Sequence, residues 1–283
     1  MTPKAAVRDR LIRLADRLGV DSLYRAVLGR HSGALNGRVL TFHEIAPEEV
    51  DAFDRLLDLL VSEFDPVPLG TLVDSFRGDG PTTGPRSVAV TFDDGFDSWL
   101  DTVVPSLRAH GVPATFFLTS GFVDAETTAE MHAFARENLR LSPTTSLDWD
   151  DVAALAADPL FDIGGHTRTH PDLGAVSPDA IEAEVREDRD RIEAATGVVP
   201  RFFAYPFGAP WNVPAAARAA VAASGYDAAF TLEPGYVTAR SDPYLLPRDG
   251  SEPTFSPALL RARLRGSYDP IKRPLDRIRS YVR

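Results

Sequence analysis

"RSVAVTFDDG", Arg86 to Gly95, is an apolar run that stops at two adjacent carboxylates and a glycine. A continuous apolar strand suits a sheet covered on both faces, as in parallel α/β folds. "PATFFL", residues 113–118, is a second run of the same kind. Between them "SWLDTVVPSLRAHG" has a helical pattern and stops at Gly111, the residue type that closes helices in the left-handed conformation. Strand, helix and strand in that order make a βαβ unit.

The alternation extends in both directions. Upstream, "GRVLTFHEI" is strand-like and "EEVDAFDRLLDLLVSEF" is an amphipathic helix, with the loop "RGDGPTTGP" leading back to Arg86. Downstream come the helix "WDDVAALAADP", the strand "FDIGGH", a long helix opened by Ser177 and Pro178, the strand "RFFAYPFG", the helix "VPAAARAAVAASG" and the strand "DAAFTL". Such repetition predicts a parallel α/β barrel or a doubly wound sheet. The chain of 283 residues is long enough for one such domain. Residues 37–256 are expected to form it, with a helical N-terminal extension over 1–36 and a basic helical C-terminal extension over 257–283.

Composition narrows the chemistry. The chain has no cysteine, so disulfides and thiolate metal sites are excluded and any metal must be held by nitrogen and oxygen ligands. A formal charge of −11 argues against generic nucleic-acid binding. The ends are nevertheless basic: from Arg261 to Arg283 eight Lys or Arg face two Asp. Those segments admit two readings, solvated helix faces or peripheral contact with an anionic membrane surface. No secretory signal or transmembrane run is evident, so a cytoplasmic, soluble or membrane-associated protein is expected.

In parallel α/β folds reactive groups gather where strands end. Asp93 and Asp94 fall at such an end, where a turn at Gly95 can direct both into one pocket; capping or turn formation is the competing reading. "GGHTRTHPDL" follows another strand and sets His166 and His170 four residues apart, on one face if the segment makes a helical turn. Two histidines and a carboxylate leave open positions on Zn2+ or a similar ion.

"TFDDG", "HTRTHPDL" and "FFAYPFG", in this order and at these separations, resemble the NodB-homology polysaccharide deacetylases of carbohydrate esterase family 4, over roughly residues 37–250. The resemblance implies a distorted (β/α) barrel of about seven strands and metal-dependent removal of acetyl from an N-acetylated sugar. It also implies Asp94, His166 and His170 as ligands of a divalent metal, Zn2+ first, with Co2+, Ni2+ or Mn2+ as alternatives, and Asp93 as general base. The Phe207 amide is implied as an oxyanion donor.

Departures from the family pattern set further expectations. The third motif commonly reads Arg-Pro-Pro-Tyr-Gly, so Ala204 replaces an Arg that orients the base; Arg248 in "LLPRDG" is the expected substitute, ahead of Arg201. The late Leu-x-His motif is missing and no histidine follows His170. His43, at the end of the first strand, resembles the histidine that takes the general-acid role in a subgroup including poly-N-acetylglucosamine deacetylases.

Trp149 and Trp211 suit either sugar stacking or, for Trp149, anchoring of its helix. The connection "DAETTAEMHAFARENLRLSPTT" is long enough to form a lid, and its His132 is read as helix surface. His31 and His110 carry no expected role. An N-acetylated sugar or glycan is the expected partner. Two other classes stay open: a hydrolase of small linear or cyclic amides, and a carbohydrate binder with a decayed site.

Overall fold

A computed structural model describes residues 20–269. Its strands are β1 (Leu35–Phe42), β2 (Asp65–Pro66), β3 (Ser87–Asp94), β4 (Ala114–Leu118), β5 (Phe161–Gly165), β6 (Phe202–Ala204), β7 (Ala228–Phe230), β8 (Val237–Thr238) and β9 (Asp249–Gly250). They form one sheet in the order β7-β6-β5-β4-β3-β1-β8, with β2 against β3 and β9 against β1. All pairings are parallel except that of β8 with β1. The expected α/β class and curled seven-strand path are thus found. Leu246–Ser251 spans the gap between the sheet's ends: Leu246 exchanges backbone hydrogen bonds with β7 and its neighbour Thr231, and the Ser251 amide donates to Thr41 of β1.

Every residue of β3 is buried. Its even-numbered side chains pack outward against helices: Phe42, Phe92 and Phe116, in register on β1, β3 and β4, stack at centroid separations of 5.5 and 5.4 Å. Leu56 and Leu60 of the helix Val50–Glu63, Trp99 and Leu107 complete this layer. Val39, Ala89, Phe117 and Ala204 face the interior instead. Thr41, Thr91 and Asp93 continue that inward face by alternation.

"SWLDTVVPSLRAHG" makes two short helices, Trp99–Thr102 and Val104–His110, rather than the single helix expected. Pro105 explains the break, because it lacks an N–H and its ring crowds the preceding turn. The long helix Pro178–Thr196 begins as expected, with the Ser177 hydroxyl accepting from the Ala180 amide, and ends at Gly197. At the C-terminal end, Leu260 and Leu264 of the helix Pro257–Arg265 join the main core. The expected helix before Val20 and the basic stretch after Asp269 lie outside the described residues.

Candidate active site

Asp93, Asp94, His43, His166, His170, Phe207 and Arg248 line one cleft of about 260 Å³ with Leu139, Leu141, Tyr205 and Leu232. Strand register sets their heights. Phe42 pairs with Phe92, so His43 follows β1 level with Asp93. His43 is exposed, and its carbonyl accepts from Trp99 Nε1 at 3.0 Å.

Adjacent strand residues normally point to opposite faces. Asp94 escapes this alternation because its φ is 91°, which turns the chain just before Gly95. The non-glycine residues with positive φ among those described are Asp94, Arg140, Thr167, His170 and Phe207. All five lie in or against the cleft, the distribution expected when surrounding structure holds unfavourable backbone at a functional site.

The two carboxylates have different surroundings. Asp93 receives both arms of Arg248, with Nη1 at 2.6 Å from Oδ1 and Nη2 at 2.8 Å from Oδ2. Arg248 also donates to Thr41 and Thr91 on the same inward face and to the Thr231 carbonyl. Burial alone would raise the Asp93 pKa, but the Arg248 guanidinium, helped by His166 and His43, outweighs it and lowers the value to about 2. Arg201 sits elsewhere, before β6, paired with Asp74 and Asp227.

Asp94 Oδ1 is buried without a hydrogen-bond partner among the described residues. It lies 3.6 Å from His166 Nε2 and 3.7 Å from His170 Nε2, and ligand atoms of the three residues all fall within 4.8 Å of one another. His166 Nδ1 is 2.7 Å from the Ala204 carbonyl, which can only accept, so Nδ1 carries the proton and the Nε2 lone pair faces Asp94. Burial is the main reason the His166 pKa falls to about 4, against the pull of Asp93 and Asp94. A neutral imidazole, an unpaired carboxylate oxygen and a second imidazole form a donor set that fits a divalent metal.

The two histidines reach the cleft from a loop, so the helical turn that would put them on one face by spacing alone is not what brings them together. Their loop has left-handed residues at Thr167 and His170 and is pinned from three sides. Glu184 takes the Thr169 amide and hydroxyl, the Arg168 carbonyl accepts from Gly121, and the Thr169 carbonyl accepts from Asn138. His170 N also donates to Thr167 Oγ1. These groups come from separate elements, which four-residue spacing does not reveal.

Phe207 has φ of 60°, and its N–H meets no protein acceptor among the described residues. Its ring stands 4.8 Å from that of His170, and Arg140 covers it at 4.8 Å. Arg140 belongs to the long connection, whose Leu139 and Leu141 wall the cleft; His132 lies away from it. Trp149 anchors its helix: Nε1 donates to Asp124 and Arg191 covers the ring. Trp211 is exposed and outside the cleft lining.

Sequence reasoning missed the walls Leu139, Leu141, Tyr205 and Leu232, and also Asp188. Asp188 is fully buried and accepts from the Ser120 and His166 amides at 3.0 Å each. Burial pushes its pKa up to about 7 against those hydrogen bonds. The available signal was an acid in the buried register Ile181, Val185, Asp188, Ile192 of its helix.

Residues 80–229 match the family model described as polysaccharide deacetylase. A chitooligosaccharide deacetylase of Rhizobium leguminosarum bv. trifolii is 30% identical over 134 residues, covering 47% of this chain and 51% of that protein. The poly-beta-1,6-N-acetyl-D-glucosamine N-deacetylase of Escherichia coli K12 is 25% identical over 203 residues, 62% of this chain and 29% of that protein. The chain therefore spans about half or less of these relatives' own lengths. Among solved structures, Streptococcus pyogenes deacetylase PplD in complex with acetate superposes with a TM-score of 0.65 at 20% identity, over 80% of this chain and 97% of that one. IcaB from Ammonifex degensii gives a TM-score of 0.62 at 21% identity, over 77% and 92%. At these identities the structural likeness is one of fold.

Proposed function

We propose that this chain, which belongs to the polysaccharide deacetylase family, is a metal-dependent hydrolase that removes acetyl from the nitrogen of an N-acetylhexosamine in a glycan or glycan precursor. One observation carries the reading: two adjacent carboxylates share a cleft, one gripped by an arginine and the other aimed without a partner at two imidazoles. Neither arrangement is needed to cap a helix.

Asp94, His166 and His170 would hold the ion, and the nitrogen and oxygen donor set suits Zn2+. Such an ion supplies Lewis acidity toward water and the amide carbonyl. Asp93, ionised and aligned by Arg248, accepts the proton of the attacking water. The Phe207 N–H donates to the oxygen that gains charge as the carbonyl becomes tetrahedral. His43, exposed at the mouth of the cleft, donates a proton to the leaving amine and is reprotonated from solvent, to which Asp93 releases the proton it took. Leu139, Leu141 and Leu232 supply apolar wall and exclude water.

The apolar walls Leu139, Leu141 and Leu232 would also receive a competing substrate class, a small linear or cyclic amide. Acetate release from N-acetylhexosamine oligomers and precursors, measured beside hydrolysis of small amides, separates the two. Release from the sugars by metal-restored but not metal-stripped protein supports deacetylation. Turnover of small amides alone overturns it, and stoichiometric metal with no turnover of either points to a binder.

We retain the division into 1–36, 37–256 and 257–283 as a proposal, together with a cytoplasmic site of action on a membrane-proximal precursor. Among the described residues, no helix is long and apolar enough to cross a membrane. Salt-sensitive binding to anionic vesicles tests the role of the basic ends; no binding at low salt contradicts it.

A further inference from the structure

We propose that Asp188 is a positioning residue that fixes the backbone beneath His166 and so sets how tightly Asp94, His166 and His170 hold their ion; the proposal rests on reading those three as ligands. The helix Pro178–Thr196 turns Ile181, Val185, Asp188 and Ile192 inward. Three of these positions hold the aliphatic residues that the spacing calls for, and the fourth holds a carboxylate with no exposed surface. A buried acid is costly, and an aliphatic residue would serve packing as well.

What the acid does is specific to the site. Oδ1 accepts from the amide of Ser120, just beyond the end of β4, at 3.0 Å. Oδ2 accepts from the amide of His166, just beyond the end of β5, at 3.0 Å. The His166 N–H is shared with the Leu118 carbonyl at 2.8 Å, so Asp188 adds a second, side-chain restraint to the sheet's own. One carboxylate thereby clamps two strand ends and fixes the root of the imidazole whose Nε2 faces Asp94. Gly165 makes the approach possible, since a Cβ there would stand 2.8 Å from Asp188 Oδ2 and collide with the Tyr226 hydroxyl.

The test compares wild type, Asp188→Asn and Asp188→Ala as full chains. Zn2+ affinity is measured by competition with a chromogenic chelator, the visible spectrum is recorded for the Co2+-loaded forms, and thermal midpoints are taken for the metal-free forms. Asparagine keeps the shape but offers one acceptor and turns an N–H toward a backbone N–H. The expected result is about 10–100-fold weaker Zn2+ binding with a changed Co2+ spectrum in Asp188→Asn, and at least as large a loss in Asp188→Ala. Unchanged affinity and spectrum with a lower midpoint would overturn the proposal, leaving Asp188 a support of the fold only. If the alanine variant does not fold, the asparagine variant carries the test. A wild-type protein that binds no ion would instead overturn the ligand assignment itself, and the positioning role with it.

Discussion

Each residue of the site is defined by partners that come from far along the chain. Asp93 and Asp94 are legible in the sequence as a pair at a strand end, because the apolar run before them and Gly95 after them mark it. Their separation into two environments is not legible. It depends on Arg248, 155 residues away in sequence, and on the φ of 91° at Asp94. His43 is the third member whose place is legible, through the strand that precedes it. His43→Ala is expected to keep the bound metal and to lower acetate release by about 10²–10⁴-fold, the range for removing a general acid. Titrating metal content and turning over substrate with the same preparation checks both halves. Wild-type turnover in this variant would remove His43 from the mechanism.

At the scale of elements, the strands were readable because β3 and β4 are buried on both faces and therefore uniformly apolar, and the helix Pro178–Thr196 because it carries its cap and its glycine stop. The conformation of the loop with His166 and His170 is not legible in its four-residue spacing, since it is dictated by Glu184, Gly121 and Asn138. The long connection after Val123 was recognisable only by its length. Its base is tied by Asp124, which accepts from Trp149 and Arg191 and pairs with Arg168. Burial would raise the Asp124 pKa, but these donors outweigh it and hold the carboxyl below its ordinary value of 3.8. The tie is fully present above the unfolded value and is lost as pH falls toward the depressed folded one. Amide exchange across residues 124–145, corrected for the intrinsic rate, is expected to lose protection as pH falls below the ordinary carboxylate value while β3 keeps its own. Equal protection of this segment over that fall in pH would show that Asp124 does not hold it.

At the scale of the whole molecule, the sheet's two ends are brought together by Leu246–Ser251, and that segment carries Arg248. Its position is secured from behind. Arg38 of β1, fully buried, donates to Asp249 at 2.8 Å and to Asp269 at 2.5 Å, while Tyr24 reaches Asp269 at 2.9 Å. Nothing in the sequence pairs residues 24, 38, 249 and 269, because isolated charges carry no periodic signal. Removing the cation takes from two buried carboxylates the guanidinium they share, so Arg38→Ala is expected to cost about 3–5 kcal/mol in denaturant unfolding. A loss under about 1 kcal/mol would mean that the network does not secure the closing segment. In the proposed reaction one carboxylate of the pair takes the proton while its neighbour holds the metal. Acetate release by Asp93→Asn loaded with one equivalent of Zn2+, beside equally loaded wild type on an N-acetylhexosamine oligomer, tests this most directly. The account predicts full metal occupancy with release reduced by about 10²-fold or more; release at the wild-type rate would contradict it.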